Sequence, residues 1–465
     1  VKSLEQLRQS GQLGVVLITR AYMSQDSGAN LGIAEKLAQL GVVPVPLDFL
    51  PLSTVDPKEY SDRPYWSYEG KFIAASKIIA SDPQLYGLVL TNFGCGPNSF
   101  ILRLLEDIMG GKPMGQLEID EHAAEAGIVT RLEAFVDTIR SYARHGRPRT
   151  VPASEIRRQV TSLINTQKPL VMAYMSPFVE VMHAVLDSVG VRVIRLPPPD
   201  ESTLLYANQV TSGTECLPYR VLLGDFLKFF HQHPEAVDQV EVMMGSSYGP
   251  CRLGKYAMEH ARALKSQGFG APIRATVSNN AYRDTGIDGA VVRVGIKGIF
   301  AVDGLERMLW RTRPYEKEKG LADHLFEEYL KKICDAIRRK EDFLPFLKQA
   351  ATAFKSAIDP NLPRRPLVGI NGEIFLRCNT FSNNNLVRAC EEAGLEVVVS
   401  PVGEWIKYVA YRNLEDTIRF RRFRRILKSY LSKRVLEGDE HLVYNQLQSL
   451  VDGHEPSTAY LLSKT

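Results

Sequence analysis

Short apolar blocks alternate with segments of helical spacing along the first third of the chain. The run "LGVVLIT" (13–19) is too short for a helix and reads as a buried strand, while residues 29–40 carry apolar positions at helical intervals up to Gly41. "VVPVPLDF" is the next strand, followed by helical "KFIAASKIIA", strand "YGLVLTNF", helical "SFILRLLEDIMGG" and strand "PMGQLEID". Residues 127–145 read as a long helix. Parallel strands cannot be joined by tight turns, so this β-α-β-α rhythm predicts a parallel sheet covered by helices on both faces.

The polar stretch "RHGRPRTVPASE" interrupts the rhythm, and the pattern then starts again. "PLVMAYM" is a strand, 177–188 a helix and "VRVIRLPPP" a strand stopped by prolines that lack a ladder donor. Helical "YRVLLGDFLKFFHQH", strand "QVEVMMG", helical "KYAMEHARALKSQGFG" and strand "PIRATVS" follow. Residues 304–358 are mostly helical, and "PLVGINGEIFLRCN" to "LEVVVSPVGEW" returns to strand–helix–strand before a basic helical end at 411–435. The prediction is an α/β protein of two domains, 1–150 and 151–465, the second with a helical insertion at about 304–358 and a basic C-terminal helix at about 411–435.

Composition changes this picture little. The 465 residues are 45% hydrophobic and 24% charged, an ordinary globular balance. Lys+Arg 57 against Asp+Glu 53 gives a formal charge of +4, too weak a bias to imply nucleic acid. No apolar run approaches the roughly 20 residues that a membrane span needs, and the start "VKSLEQLRQSGQLG" lacks a secretory layout. Its first residue is Val, which fits processing, a non-standard start or one module of a longer protein. Six cysteines without close regular spacing are not a secreted disulfide framework, so a reducing cytoplasm is the expected setting.

Three of those cysteines share a setting. Cys95 ("FGCGP") and Cys251 ("YGPCRLG") follow predicted strands, at the edge where open α/β sheets place ligands. Cys216 ("TECLPY") stands just before a predicted helix, where free N–H groups favour a thiolate. Gly94, Gly96 and Gly249 would let the backbone approach a bulky inorganic centre, and Pro97 and Pro250 would stiffen the loops without adding donors. No C-x-x-C pair is present, which argues against a zinc ribbon or a ferredoxin-like run. Cys334 and Cys390 lie in helical patterns and read as core, whereas Cys378 follows the strand-like "GEIFLR" at the margin of the site.

With "TNFGCGPNSF", "LEIDEHAAEAGIVTR", "SGTECLPYRVLLGD", "GPCRLGKY", "RTRPYEKEKG" and "GEIFLRCNTFSNN" in this order, the chain resembles the 2-hydroxyacyl-CoA dehydratase component family (2-hydroxyglutaryl-CoA dehydratase D-component-like). Within that family it is most similar to the module of large CoA-substrate-specific enzyme activase-related proteins. The likeness runs from about residue 20 to about 405. It implies two flavodoxin-like domains with a [4Fe–4S] cluster in the cleft between them, held by Cys95, Cys216 and Cys251, with one iron open to substrate. It further implies a separate ATP-dependent iron–sulfur activase that injects a low-potential electron, making a ketyl radical from an acyl-CoA thioester. Lyase or reductase chemistry is therefore expected, with an ATP-coupled reductase of small molecules or a non-catalytic electron carrier as alternatives. Homodimers or multi-domain assemblies are also implied.

Asn98 and Cys378 depart from the family pattern, and the chain has no G-x-x-x-x-G-K-[ST] loop, so the activase would be a separate chain or further domains. Around the thiols, Glu215 and Arg252 are expected to tune a cluster's charge, and His122 in "EIDEH" (118–122) is a candidate acid–base group. Arg313 and Glu316 in "RTRPYE" are read as a clamp between domains, and the basic run 419–434 as a solvated face.

Overall fold

The computed structural model describes residues 2–61, 64, 66–92, 94–146, 151–153, 167–246, 251–271, 273–275 and 287–447. Parallel sheets and many helices make it an α/β protein, as the rhythm predicts. The chain divides into two compact units: unit 1 comprises Val1–Thr161, Val210–Tyr219 and Met244–Ala275, and unit 2 comprises Ser162–Gln209, Arg220–Met243 and Thr276–Thr465.

Unit 1 is built on strands β1 (Gly14–Ile18), β2 (Val43–Pro46), β3 (Leu85–Asn92) and β4 (Met114–Ile119), all parallel in the order β2-β1-β3-β4. Every residue of β1 and the first seven of β3 are buried, as a sheet covered on both faces requires. Alternate side chains serve opposite faces. Val16, Ile18 and Val89 pack with Ile73 and Ile79 of the Ser67–Ser81 helix and Leu105 of the Gly96–Met109 helix. Val15, Leu17, Leu88 and Leu90 pack with Leu37 of the Ile33–Gln39 helix and Leu132 and Val136 of the Glu125–His145 helix. The chain moves outward from β1 to β2 and then crosses to β3 on the other side. The carboxyl ends of β1 and β3 therefore border a topological switch point, where ligands bind open α/β sheets.

Two later segments belong to this unit although 150 is the sequence-based boundary. Phe100, on the Gly96–Met109 helix, meets the Tyr219 ring edge-on at 5.0 Å and stacks on Tyr256 at 5.7 Å. Arg103 donates to the Val210 carbonyl at 2.8 Å, and Arg262 pairs with Asp107 at 3.0 Å. These pairings, between residues more than a hundred apart, leave no local mark in the sequence. They place Cys216 and Cys251 in the same unit as Cys95.

Unit 2 has a helical core formed by Gly289–Thr312, Leu321–Arg338, Leu344–Ala357 and Phe178–Ser188. The expected insertion at 304–358 is thus this unit's main packing element, and its long helix begins fifteen residues earlier, at Gly289. A Cβ at Gly298 would stand 2.4 Å from Val181, so glycine is what allows that close helix crossing. The Leu170–Met172 strand pairs in parallel with Val193–Arg195 and with Glu241–Met244, and Leu367–Ile370 pairs in parallel with Glu396–Val399.

Local expectations needed correction at three places. The helix read over 29–40 begins at Ile33, because Leu31 (φ 54°) and Gly32 (φ 65°) turn left-handed before it. "GEIFLR" is not a strand: Ile374–Cys378 is a short helix capped by the Glu373 carboxylate on the Leu376 amide at 2.9 Å. The basic end is two helices, Val402–Arg419 and Phe423–Tyr444, parted where Arg421 takes φ 50°. Arg313 and Glu316 work inside unit 2. Arg313 pairs with Glu391 and Asp323, and Glu316 accepts from the Gly320 and Ala322 amides. Among the described residues, no helix is long and apolar enough to cross a membrane.

Candidate functional site: the thiol loops of unit 1

Cys95 is presented by a strand–turn–helix whose parts are each accounted for. β3 ends at Asn92, and Gly94 takes φ 62°, a left-handed conformation that glycine adopts without steric cost. Cys95 is then the N-cap residue of the Gly96–Met109 helix, with Pro97 in its first turn. Its amide donates to the Asn92 carbonyl at 3.1 Å, and its carbonyl accepts from Ser99 N at 3.1 Å. The free N–H groups at this helix start put positive potential beside the sulfur.

The departure at Asn98 has a structural role. Asn98 is buried, and its Nδ2 donates to Thr91 Oγ1 at 2.7 Å, tying the first helical turn to the end of β3. From β4, Glu118 Oε1 accepts from the Gly94 amide at 3.0 Å, and its backbone lies in register with Thr91. Of the "EIDEH" residues, Glu118 thus supports the cysteine turn. His122 points elsewhere: its side chain is 82% exposed and lies 3.7 Å from Glu121.

Arg20, the second residue after β1, reaches Cys95 from across the switch point. Its Nη2 donates to Cys95 Sγ at 3.5 Å, while its buried Nε has no acceptor among the described residues. Tyr22 Oη donates to Asn92 Oδ1 at 2.6 Å, a second tie between the ends of β1 and β3.

Cys216 is half-buried, directly before the Leu217–Gln232 helix. Its Sγ lies 2.6 Å from Tyr256 Oη. Burial pushes this thiol above its ordinary value; the Tyr256 hydroxyl, the Tyr219 backbone and the Arg252 charge oppose the rise, and the Cys251 sulfur adds to it. Glu215 turns back on its own loop, accepting from the Ser212 and Gly213 amides at 3.0–3.2 Å and from Ser212 Oγ at 3.1 Å. Its carboxylate is therefore used in shaping the turn before Cys216.

Cys251 is exposed, and Arg252 is the N-cap residue of the Leu253–Ser266 helix. Gly249 and Pro250 lie outside the described residues. The Arg252 side chain lies across Gly96: a Cβ there would be 3.0 Å from its Cδ, Nε and Cζ. One cation thus touches the Cys95 turn sterically and acts on Cys216 electrostatically. The same helix is anchored by Lys255, whose ammonium pairs with Glu69 while both side chains are almost fully buried (4% and 2% exposed). Burial raises the Glu69 carboxyl, and the Lys255 charge opposes that rise.

None of the six cysteines forms a disulfide. The donor set suits an iron–sulfur cluster in kind: three unbridged thiols on loops of one unit, two arginines beside them, and an orphaned Arg20 Nε. Among the described residues, however, no three Cys, His, Asp or Glu side chains are gathered closely enough to hold a metal ion. Arg20 and Tyr256 are the supporting residues that sequence reasoning did not single out, whereas Glu118 lies in the "EIDEH" cluster that it did. Arg20 had a positional signal, since it follows the first strand of an alternating pattern; Tyr256 sits inside an amphipathic helix and had none. Comparison of the chain with protein-family models, curated proteins and solved structures found no match.

Proposed function

We propose that the protein is an iron–sulfur redox protein of the 2-hydroxyacyl-CoA dehydratase type, built on flavodoxin-like α/β domains, with Cys95, Cys216 and Cys251 as ligands of a [4Fe–4S] cluster. The observation that carries this reading is the position of Arg252, in steric contact with the Cys95 turn and in electrostatic contact with Cys216. All three ligands then come from unit 1, at the switch-point end of its sheet, rather than one from each half of the chain. Cys251 acts on Cys216 electrostatically, and holding one cluster requires all three sulfurs to come closer together than they stand among the described residues.

When bound, such a cluster supplies low-potential one-electron transfer and an open iron position. The chain's own residues set its surroundings. Tyr256 and Arg20 each place a donor at a sulfur, and Arg252 adds a cation, both of which raise a cluster's potential. Glu118 and Asn98 hold the Cys95 turn rigid against the ends of β3 and β4. The proposed electron donor is an ATP-dependent activase, the proposed setting a reducing cytoplasm and the proposed substrate class an acyl-CoA.

Anaerobic purification and reconstitution, with iron and sulfide quantitation, tests this. About four irons per chain are expected for one cubane, and all are lost in Cys95→Ala, Cys216→Ala and Cys251→Ala. Protein that stays colourless and metal-free after reconstitution overturns the reading. A reduced-cluster EPR signal that shifts on adding 2-hydroxyacyl-CoA thioesters favours dehydratase chemistry, and a signal unmoved by the whole panel favours an electron carrier.

A further inference from the structure

Unit 2 contains a cavity of about 280 Å³ that the thiol chemistry does not use. It opens among the Gly289–Thr312 helix, the short Ile374–Cys378 helix, the Leu386–Glu392 helix and the residues after the Glu396–Val399 strand. Its apolar wall includes Leu309, Trp310 and Phe326, and Glu306 and Tyr174 supply polar groups. At this size it stands at the lower end of small-molecule pockets.

The charges around it are unevenly committed. Arg313 is paired with Glu391 at 2.7 Å and with Asp323 at 2.9 Å, and Arg388 with Asp323 at 2.7 Å. The terminal nitrogens of Arg377 donate to the Gly372 and Pro401 carbonyls, at 2.9 and 3.0 Å, leaving Nε as a buried donor without an acceptor. Asp303 accepts from the Val402 and Gly403 amides at 3.0 and 2.8 Å, where it faces the start of the Val402–Arg419 helix. Glu306 differs from all of these. Its carboxyl has no hydrogen-bond partner among the described residues, and it lies one helical turn from Asp303.

Burial, and then the charge of Asp303, push Glu306 up to about 8, so it is mostly protonated at neutral pH. Burial is also the main cause that takes Tyr174 and Cys378 to about 12, so both are neutral there; Arg195 acts on Tyr174. A neutral ligand would be served by an amide at position 306, without the cost of a carboxyl beside Asp303. An anion would add negative charge beside Asp303, and of the lining arginines Arg313 is already paired with Glu391 and Asp323 and Arg388 with Asp323. An ammonium ion changes this balance, because it can be answered by Glu306 losing its proton. Aromatic faces such as that of Trp310 also attract cations.

We propose that this cavity is a binding site for a small organic amine, held as its ammonium ion by the Glu306 carboxylate, with its carbon body against Trp310 and Phe326. Binding moves one proton: the amine arrives protonated, Glu306 ionises, and the proton goes to the buffer. The site lies wholly in unit 2 and does not depend on whether the thiols of unit 1 hold a cluster.

The test is calorimetry on the full chain at pH 7 with benzylamine, benzyl alcohol and benzoate, in two buffers of different protonation enthalpy. Benzylamine is expected to bind at least about tenfold tighter than the other two and to release about one proton per molecule bound. Glu306→Gln is expected to lose about tenfold or more in benzylamine affinity, together with the proton release. Phe326→Leu is expected to weaken benzylamine about threefold or more and keep the release. It carries the test if the Gln variant does not fold. Benzyl alcohol or benzoate binding as tightly as benzylamine overturns the proposal. So does wild-type affinity in the Gln variant or in Phe326→Leu, or no benzylamine binding up to about 10 mM.

Discussion

The Gly94 amide lies 3.0 Å from the Glu118 carboxylate, so the turn that presents Cys95 is held by a side chain from the neighbouring strand. Gly94 is exposed and left-handed, and a backbone N–H bonded to a charged acceptor is worth about 1.5–3 kcal/mol. Glu118→Ala should therefore loosen the turn. Cys95 should then alkylate several-fold faster, read by mass spectrometry of the labelled peptide. An unchanged rate would mean that Asn98 and the helix start hold the turn without Glu118.

Tyr256 opposes the rise that burial imposes on Cys216. Tyr256→Phe removes the hydroxyl and keeps the ring that stacks on Phe100. The Cys216 thiol should move further up, so its iodoacetamide labelling at pH 8 should slow about threefold or more, with the pH profile displaced to higher pH. Arg252→Gln should act in the same direction, because it removes a cation that favours the thiolate.

Lys255 and Glu69 form an almost fully buried ion pair at the start of the helix that follows Cys251. Removing one partner strands the other charge, so Lys255→Met should cost about 3–5 kcal/mol in urea unfolding. Lys255→Met with Glu69→Leu should recover much of that loss, since replacing both members removes the stranded charge. A double variant no more stable than the single one would show that the pair's geometry, and not its charge balance, holds the helix.

His260 is completely buried, with its ring 4.6 Å from that of Tyr219 and Nε2 3.1 Å from the Tyr219 carbonyl. Burial holds it down to about 3, well below the ordinary 6.5. The folded state thus resists the proton that the unfolded chain accepts. Its stabilising effect is complete above about pH 6.5 and is lost progressively as pH falls toward about 3, a loss of about 4 kcal/mol across that range. Urea midpoints at pH 7, 5 and 4 should fall less steeply for His260→Gln than for the wild type.

Much of the local structure is legible in the chain. "LGVVLIT" and "YGLVLTNF" are short apolar runs rich in β-branched residues, which favours buried strands, and they became β1 and β3. Cys216 stands directly before a helix, as read from the sequence. Cys95, read as following a strand, is also the N-cap of a helix that starts at Gly96, before the predicted "SFILRLLEDIMGG". "GEIFLR" misled because six residues cannot separate a buried strand from one helical turn, and Glu373 decided the matter by capping. Leu31 broke an otherwise regular helical spacing because a left-handed residue without glycine has no sequence mark.

Periodicity, turn residues and the order of strands and helices determined by themselves that this is an α/β protein with thiols at its loop edges, because these properties follow from neighbours in the chain. Tertiary structure alone decided which thiols share a unit. Phe100 against Tyr219 and Tyr256, Arg103 on the Val210 carbonyl and Arg252 over Gly96 join segments more than a hundred residues apart, through contacts that no local pattern encodes. It also decided the partners of Asn98 and Glu118. A side chain's hydrogen-bond partner depends on which strand folds beside it, and here β3 and β4 bring both to the turn that carries Cys95.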